Sequence, residues 1–127
     1  MTISTATLSN YRQAPRKVRL IADLVRGKSA NQALALLTML PKRGSEPMSK
    51  LIKSAIANAK DASAADLYIS KIEVNGGIVF KRMMPRARGK GAQIKKRTSH
   101  ITLSLDRKGK PKVQAPKSKE ALKNKHE

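Results

Sequence analysis

Apolar residues recur with helical spacing in the first half of this chain and with the period of a strand in the second, and the change falls near Leu67. Val18, Ile21, Ala22 and Val25 keep i, i+3, i+4, i+7 spacing after Pro15, whose fixed φ suits a first helical turn. Gly27 stops that run. Ser29 and Gln32 have capping-box spacing for a second helix, short and mostly buried, in which Ala33, Leu34, Leu36, Leu37 and Leu40 are apolar and Pro41 closes the element. A loop over Lys42 to Ser45 leads to the most regular pattern in the chain: Met48, Leu51, Ile52, Ala55, Ile56 and Ala59 on one face, Lys50, Lys53, Asn58 and Lys60 on the other.

From Leu67 to Val74 the alternation puts Ile72 and Val74 on one side and Lys71 and Glu73 on the other. It returns in Ser99 to Leu105, where Ile101, Leu103 and Leu105 oppose Thr102 and Ser104. These two half-buried strands are expected to pair antiparallel, with the helices covering their apolar face. Thr2 to Leu8 reads as a short edge strand, with a frayed arm as the alternative. Asn75-Gly76 is a strong type I′ turn signal, so a tight hairpin returning on Ile78 and Phe80 is one reading. The preferred reading is a bulge or twist at Asn75 to Gly77 with the reversal later, around Arg88 to Gly91. That makes a hairpin arm of about residues 76 to 98, extending roughly 30 to 40 Å at ~3.3 Å per residue.

Charge changes the meaning of that arm. The formal net charge is +20, and residues 1–79 carry 12 basic against 5 acidic side chains whereas residues 80–127 carry 16 against 3. Between Phe80 and Thr98 there are eight cations and no acid: Lys81, Arg82, Arg86, Arg88, Lys90, Lys95, Lys96 and Arg97. Uncompensated like charges on a two-stranded ribbon repel one another, so a polyanion is the expected partner. A second cluster, Arg12, Arg16, Lys17 and Arg19, surrounds the start of the first helix, where the macrodipole favours acids instead. A phosphate partner is the expected explanation of both, with plain solvated charge as the alternative. The lysines at 50, 53 and 60 read as solubilising. From Arg107 to Glu127 the chain is rich in Lys and Pro without apolar periodicity, and is expected to be a disordered basic tail.

Other chemistries find little support. There is no cysteine and only His100 and His126, so neither a thiolate nor a histidine metal site is expected, and no cofactor motif stands out. Gly89-Lys90-Gly91 lacks the strand, helix and spacing of a phosphate loop. Asp23, Asp61, Asp66, Glu73 and Asp106 form no paired motif, and no nucleophile, base and orienting group assemble, so an enzyme is not expected. His100, where arm becomes strand, reads as a hydrogen-bonded structural residue or a phosphate contact. Met83, Met84 and Pro85 are open to two readings, a patch against RNA bases or part of the sheet's own apolar face. Only Tyr11, Tyr68 and Phe80 are aromatic, too few for the stacking platforms of single-strand readers, so recognition should rest on the backbone and shape of folded RNA. No apolar run spans a bilayer and the N-terminus has no targeting pattern, so no membrane and a cytoplasmic location are expected.

Four segments carry a resemblance. Ala14-Pro15-Arg16-Lys17-Val18-Arg19 with Leu24-Val25-Arg26-Gly27, then Lys53-Ser54-Ala55-Ile56-Ala57-Asn58-Ala59, then Lys81-Arg82-Met83-Met84-Pro85-Arg86-Ala87-Arg88-Gly89, and Lys96-Arg97-Thr98-Ser99-His100-Ile101 resemble universal large-subunit ribosomal protein twenty-two of the bacterial or organellar type, over about residues 9 to 106. The resemblance implies an α+β fold, three helices packed on a small three-stranded antiparallel sheet with a long basic β-hairpin arm, as one domain over residues 1–106. It implies a structural constituent of the large ribosomal subunit that supports assembly, its partners being large-subunit rRNA, neighbouring ribosomal proteins and the nascent peptide. Arg16, Lys17 and Arg19 would touch rRNA beside the base; Lys81, Arg82, Lys95, Lys96 and Arg97 would do so along the arm, with Ser99 and His100 at its root. Arg86, Ala87, Arg88, Gly89, Lys90 and Gly91 would lie at the wall of the peptide exit tunnel, in the region where macrolides bind. Phe80 stands where many bacterial relatives are expected to have methionine. The same charge also suits a free nucleic-acid binder, such as an architectural DNA protein or an RNA chaperone.

Overall fold

The computed structural model describes residues 2–60 and 64–107. In chain order the elements are β1 (Thr2–Tyr11), α1 (Pro15–Val25), α2 (Ala30–Met39), α3 (Ser45–Asn58), β2 (Leu67–Pro85), a single 3₁₀ turn (Ala87–Gly89) and β3 (Gly91–Arg107). The expected α+β architecture is present: three helices lie on a three-stranded antiparallel sheet of order β1-β3-β2. Most of the expected basic tail lies outside the described residues.

Placing β3 in the middle makes its alternating residues the floor of the core. Ile101, Leu103 and Leu105 are buried there, flanked by Ala6 of β1 and by Leu67, Ile69, Ile72 and Val74 of β2. The change of parity between Ile69 and Ile72 follows from a bulge, since the register shifts between Ile69 and Lys71. One extra residue there returns both halves of β2 to the same face. Above the sheet, Val18, Ile21, Ala22 and Val25 of α1 and Met48, Leu51, Ile52 and Ala55 of α3 join the same buried cluster, α1 resting on β2 and β3 and α3 on β1 and β3.

Element ends follow their local chemistry. α1 opens with Pro15 in its first turn, and Gly27 takes φ +73° at its end. α2 begins at an N-cap Ser29 whose hydroxyl accepts from the Gln32 N–H at 3.4 Å. It is less buried than its apolar run predicts: only Ala30, Ala33 and Leu37 are buried, and Met39 is 85% exposed. The helix packs chiefly on α3 and less on β2, so part of its apolar surface is uncovered among the described residues. α3 starts at Ser45, inside the expected loop. Pro47 sits in its first turn, where a missing N–H costs nothing. Gly44 just before it lies so close to α1 that a Cβ would be 2.6 Å from Ile21 Cδ1.

The outer edge of β2 is covered along the base. Arg19 donates to the Val74 carbonyl from both Nε and Nη2, and Arg26 Nη2 donates to Ile72 O. Gly27 N donates to Ile69 O and Ile69 N to Lys28 O. Such covering removes a template for edge-to-edge association. Beyond Asn75 this hydrogen-bonded cover of the β2 edge ends.

Candidate nucleic-acid interface

β2 and β3 run past the base as a two-stranded arm, paired in register from Val79↔Arg97 to Pro85↔Gly91. Asn75-Gly76 does not turn the chain. Between the pairs Gly76↔Ser99 and Val79↔Arg97, β2 spends one more residue than β3, a bulge at Gly77 and Ile78 that overlaps the bulge or twist expected at Asn75 to Gly77 but lies slightly later. The reversal occurs at residues 86–90, closed by Arg86 N donating to Lys90 O at 2.8 Å, with Arg88 at φ 58° and Gly89 at φ 65°. From Gly76 to Pro85 the arm extends about 30 Å at ~3.3 Å per residue.

Every residue from Lys81 to Gly91 is exposed. Among the described residues the ion pairs are Arg26 with Asp23, Lys50 with Glu46 and Lys71 with Glu73, all on the base. The arm's eight cations therefore have no carboxylate partner among the described residues. Met83 is 71% and Met84 42% exposed, so these side chains stand outside the core and are not part of the sheet's buried face.

The arm is tied to the base at its root by hydrogen bonds, of which sequence reading anticipates a structural one at His100 but not those of Thr98 and Ser99. Thr98, buried, donates its hydroxyl to Ile78 O at 2.7 Å across the bulge. Ser99 has no exposed surface and donates its hydroxyl to Gln13 O. The backbone N–H of Asn10 donates to His100 Nδ1 at 3.1 Å, which puts the ring proton of a neutral His100 on Nε2. Gly77 packs into this junction, where a Cβ would stand 2.5 Å from Thr98 Oγ1 and 2.9 Å from His100 Nε2. Ser99 and His100 thus fasten the arm to the turn between β1 and α1.

That turn and the arm enclose a concave cleft of about 750 Å³. Arg12 and Lys17 come to it from the β1–α1 region, Arg43 from the loop between α2 and α3, and Arg82, Lys95, Lys96 and Arg97 from the arm. No acid lines it. The guanidinium of Arg12 lies over the Phe80 ring, 4.6 Å from its centroid. Arg43 is a member that sequence reading missed, because a lone cation in a short loop carries no signal until the fold brings it beside the arm. Arg16 is exposed on α1 outside the cleft lining, Arg19 is engaged on Val74, and Lys81 lies along the arm beside Lys95. Arg86, Arg88 and Lys90 lie at the far tip.

This arrangement can bind phosphates over a long surface. Among the described residues no cluster of three His, Asp or Glu side chains is placed to hold a metal ion, and no helix is long and apolar enough to cross a membrane.

Comparison with known proteins gives a consistent result. The family described as Ribosomal protein L22p/L17e matches residues 6–106. The chain is 50% identical over 104 residues to the large ribosomal subunit protein uL22 of Herpetosiphon aurantiacus, covering 80% of this chain and 92% of that protein. It is 47% identical over 111 residues to the protein of the same name from Lacticaseibacillus casei, covering 85% and 95%. For the Caldicellulosiruptor saccharolyticus protein, again a large ribosomal subunit protein uL22, identity is 49% over 105 residues, 80% of this chain and 86% of the relative.

Proposed function

The chain belongs to the ribosomal protein L22p/L17e family, and on that premise we propose that it is a structural, non-enzymatic constituent of the large ribosomal subunit whose basic arm threads through large-subunit rRNA. The observation that carries the mechanism is the exposed, acid-free arm: cations with no internal partner, on a ribbon with no core of its own. Phosphates relieve their repulsion and release counterions. Residues 1–106 act as one domain, in which the base seats the arm and the arm ties RNA segments together during assembly. Arg12, Arg16, Lys17 and Arg19 contact rRNA beside the base. Lys81, Arg82, Lys95, Lys96 and Arg97 follow its backbone along the arm. The tip, Arg86 to Gly91, faces the nascent peptide at the wall of the exit tunnel. Neighbouring ribosomal proteins meet the base, and the protein resides in the cytoplasm in a ribosome of the bacterial type, the type that organelles also carry.

Ultraviolet crosslinking of the tagged full chain in cells, mapped after sedimentation, tests this. Arm crosslinks to large-subunit rRNA in intact particles are expected. Crosslinks scattered over DNA or messenger RNA, with the protein at the top of the gradient, would instead identify a free nucleic-acid binder. For the isolated chain on rRNA fragments, duplex scaling with six to ten phosphate contacts sets an upper limit of about 10³- to 10⁵-fold weaker binding between 50 and 200 mM salt. A flat salt response in a filter-binding assay would refute an electrostatic mechanism.

A further inference from the structure

Resting on the reading that the arm root lies against large-subunit rRNA, we infer that the cleft there is a nucleobase pocket: one unpaired nucleotide stacks its base on the Arg12–Phe80 pair while phosphates on either side meet the surrounding cations. A cleft that served phosphate alone would need only charge. This one contains the sole phenylalanine of the chain, half-exposed in the middle of a cationic ribbon and directly opposite Lys96 in the ladder. Bare aromatic surface in such a setting is unfavourable in water and calls for cover. Arg12 supplies part of it from 4.6 Å.

A guanidinium is planar, so one lying over a ring offers its other face for a further layer. Arg12 is exposed and has no carboxylate partner among the described residues, so no ion pair there competes for that layer. A nucleobase stacks favourably on either an aromatic ring or an arginine plane, and here the two are already assembled. The volume, about 750 Å³, lies within the ~300–1,000 Å³ of small-ligand sites. Lys95, Lys96 and Arg97 provide phosphate contacts next to the stack. Gln13 also lines the cleft, with its Oε1 buried on the side of Gly44. The cleft thus joins a stacking surface and phosphate seats, which backbone tracking alone does not require.

The test replaces Phe80 by the photocrosslinker p-benzoylphenylalanine in the full chain, produced in cells, with large subunits then irradiated and the crosslinked nucleotide mapped by reverse transcription. A predominant crosslink to the base of one unpaired rRNA nucleotide is expected. In particles carrying Phe80→Leu, chemical reactivity of that base should rise about fivefold or more, the lower end for loss of one stacked base, whereas Phe80→Tyr should keep it protected. A crosslink to protein or to a paired segment, or equal reactivity in the wild-type and Leu particles, would overturn the pocket. Saturable binding of free AMP to the isolated chain, lost in Phe80→Leu, would overturn the RNA assignment in favour of a mononucleotide site. Absence of the wild-type protein from large subunits is a separate outcome, which would defeat the ribosomal reading on which the pocket rests.

Discussion

At Arg19 one side chain donates twice to the Val74 carbonyl and still keeps its charge at the surface. Arg19→Leu removes both hydrogen bonds and is expected to cost about 1–2 kcal/mol in urea unfolding of the full chain, in addition to any loss of RNA affinity. Arg16→Leu, which removes a charge without such bonds, should leave stability within about 0.5 kcal/mol, so unequal unfolding midpoints separate the structural from the electrostatic role. At the start of α3, the hydrogen bond from Lys50 and then its charge hold the Glu46 carboxyl below the usual glutamate range. Because the folded value is depressed, the contribution is present above the unfolded value and disappears as pH falls through the folded one. An NMR titration should therefore place the Glu46 midpoint on the acid side of an ordinary glutamate, and Lys50→Gln should return it.

Among elements, the arm depends on its root more than on its tip. Gly77 has no room for a Cβ, with Thr98 and His100 both inside normal contact distance, and these two neighbours hold the bulge and the β1 end. Gly77→Ala should push Thr98 away from Ile78 O and destabilise the junction by about 1–3 kcal/mol, as overpacking usually does. Amide hydrogen exchange would show this as faster exchange over residues 76–80 and 96–100, with the core of α3 unchanged; unchanged exchange at the root would show that the contact relaxes without cost. The helices and the central strand were legible in sequence because their periods are local and strong. Burial of α2 was overestimated for a physical reason: an apolar run shows what a helix can bury, while the number of neighbours that reach it is set elsewhere in the fold.

For the whole molecule, a compact base and a projecting arm divide the work. The tip residues Arg86 to Gly91 make no core contact, all six being exposed or at the turn, so their removal with a short Gly link should leave the base folded and incorporated into large subunits. Sedimentation with quantitative immunoblotting checks this, and exclusion of the shortened protein from particles would show that the tip is required for assembly. Substitutions in the cleft, where Arg12, Arg43 and the arm cations meet, are expected to weaken RNA binding and to lower incorporation into large subunits, unlike removal of the tip.

The sequence by itself determined the three helices, the two long strands and the basic, acid-free arm between them, because these rest on spacing and charge that persist whatever the chain packs against, and it left the place of the reversal between two readings. Only the tertiary structure decided that β3 lies in the middle of the sheet, that Ser99 and His100 fasten the arm to the turn before α1, and that Arg43 and Phe80 share a cleft with Arg12. These are contacts between residues dozens of positions apart. Their closeness depends on strand order, on the register set by two bulges in β2, and on the angle at which the arm leaves the base, none of which has a local signature in the chain.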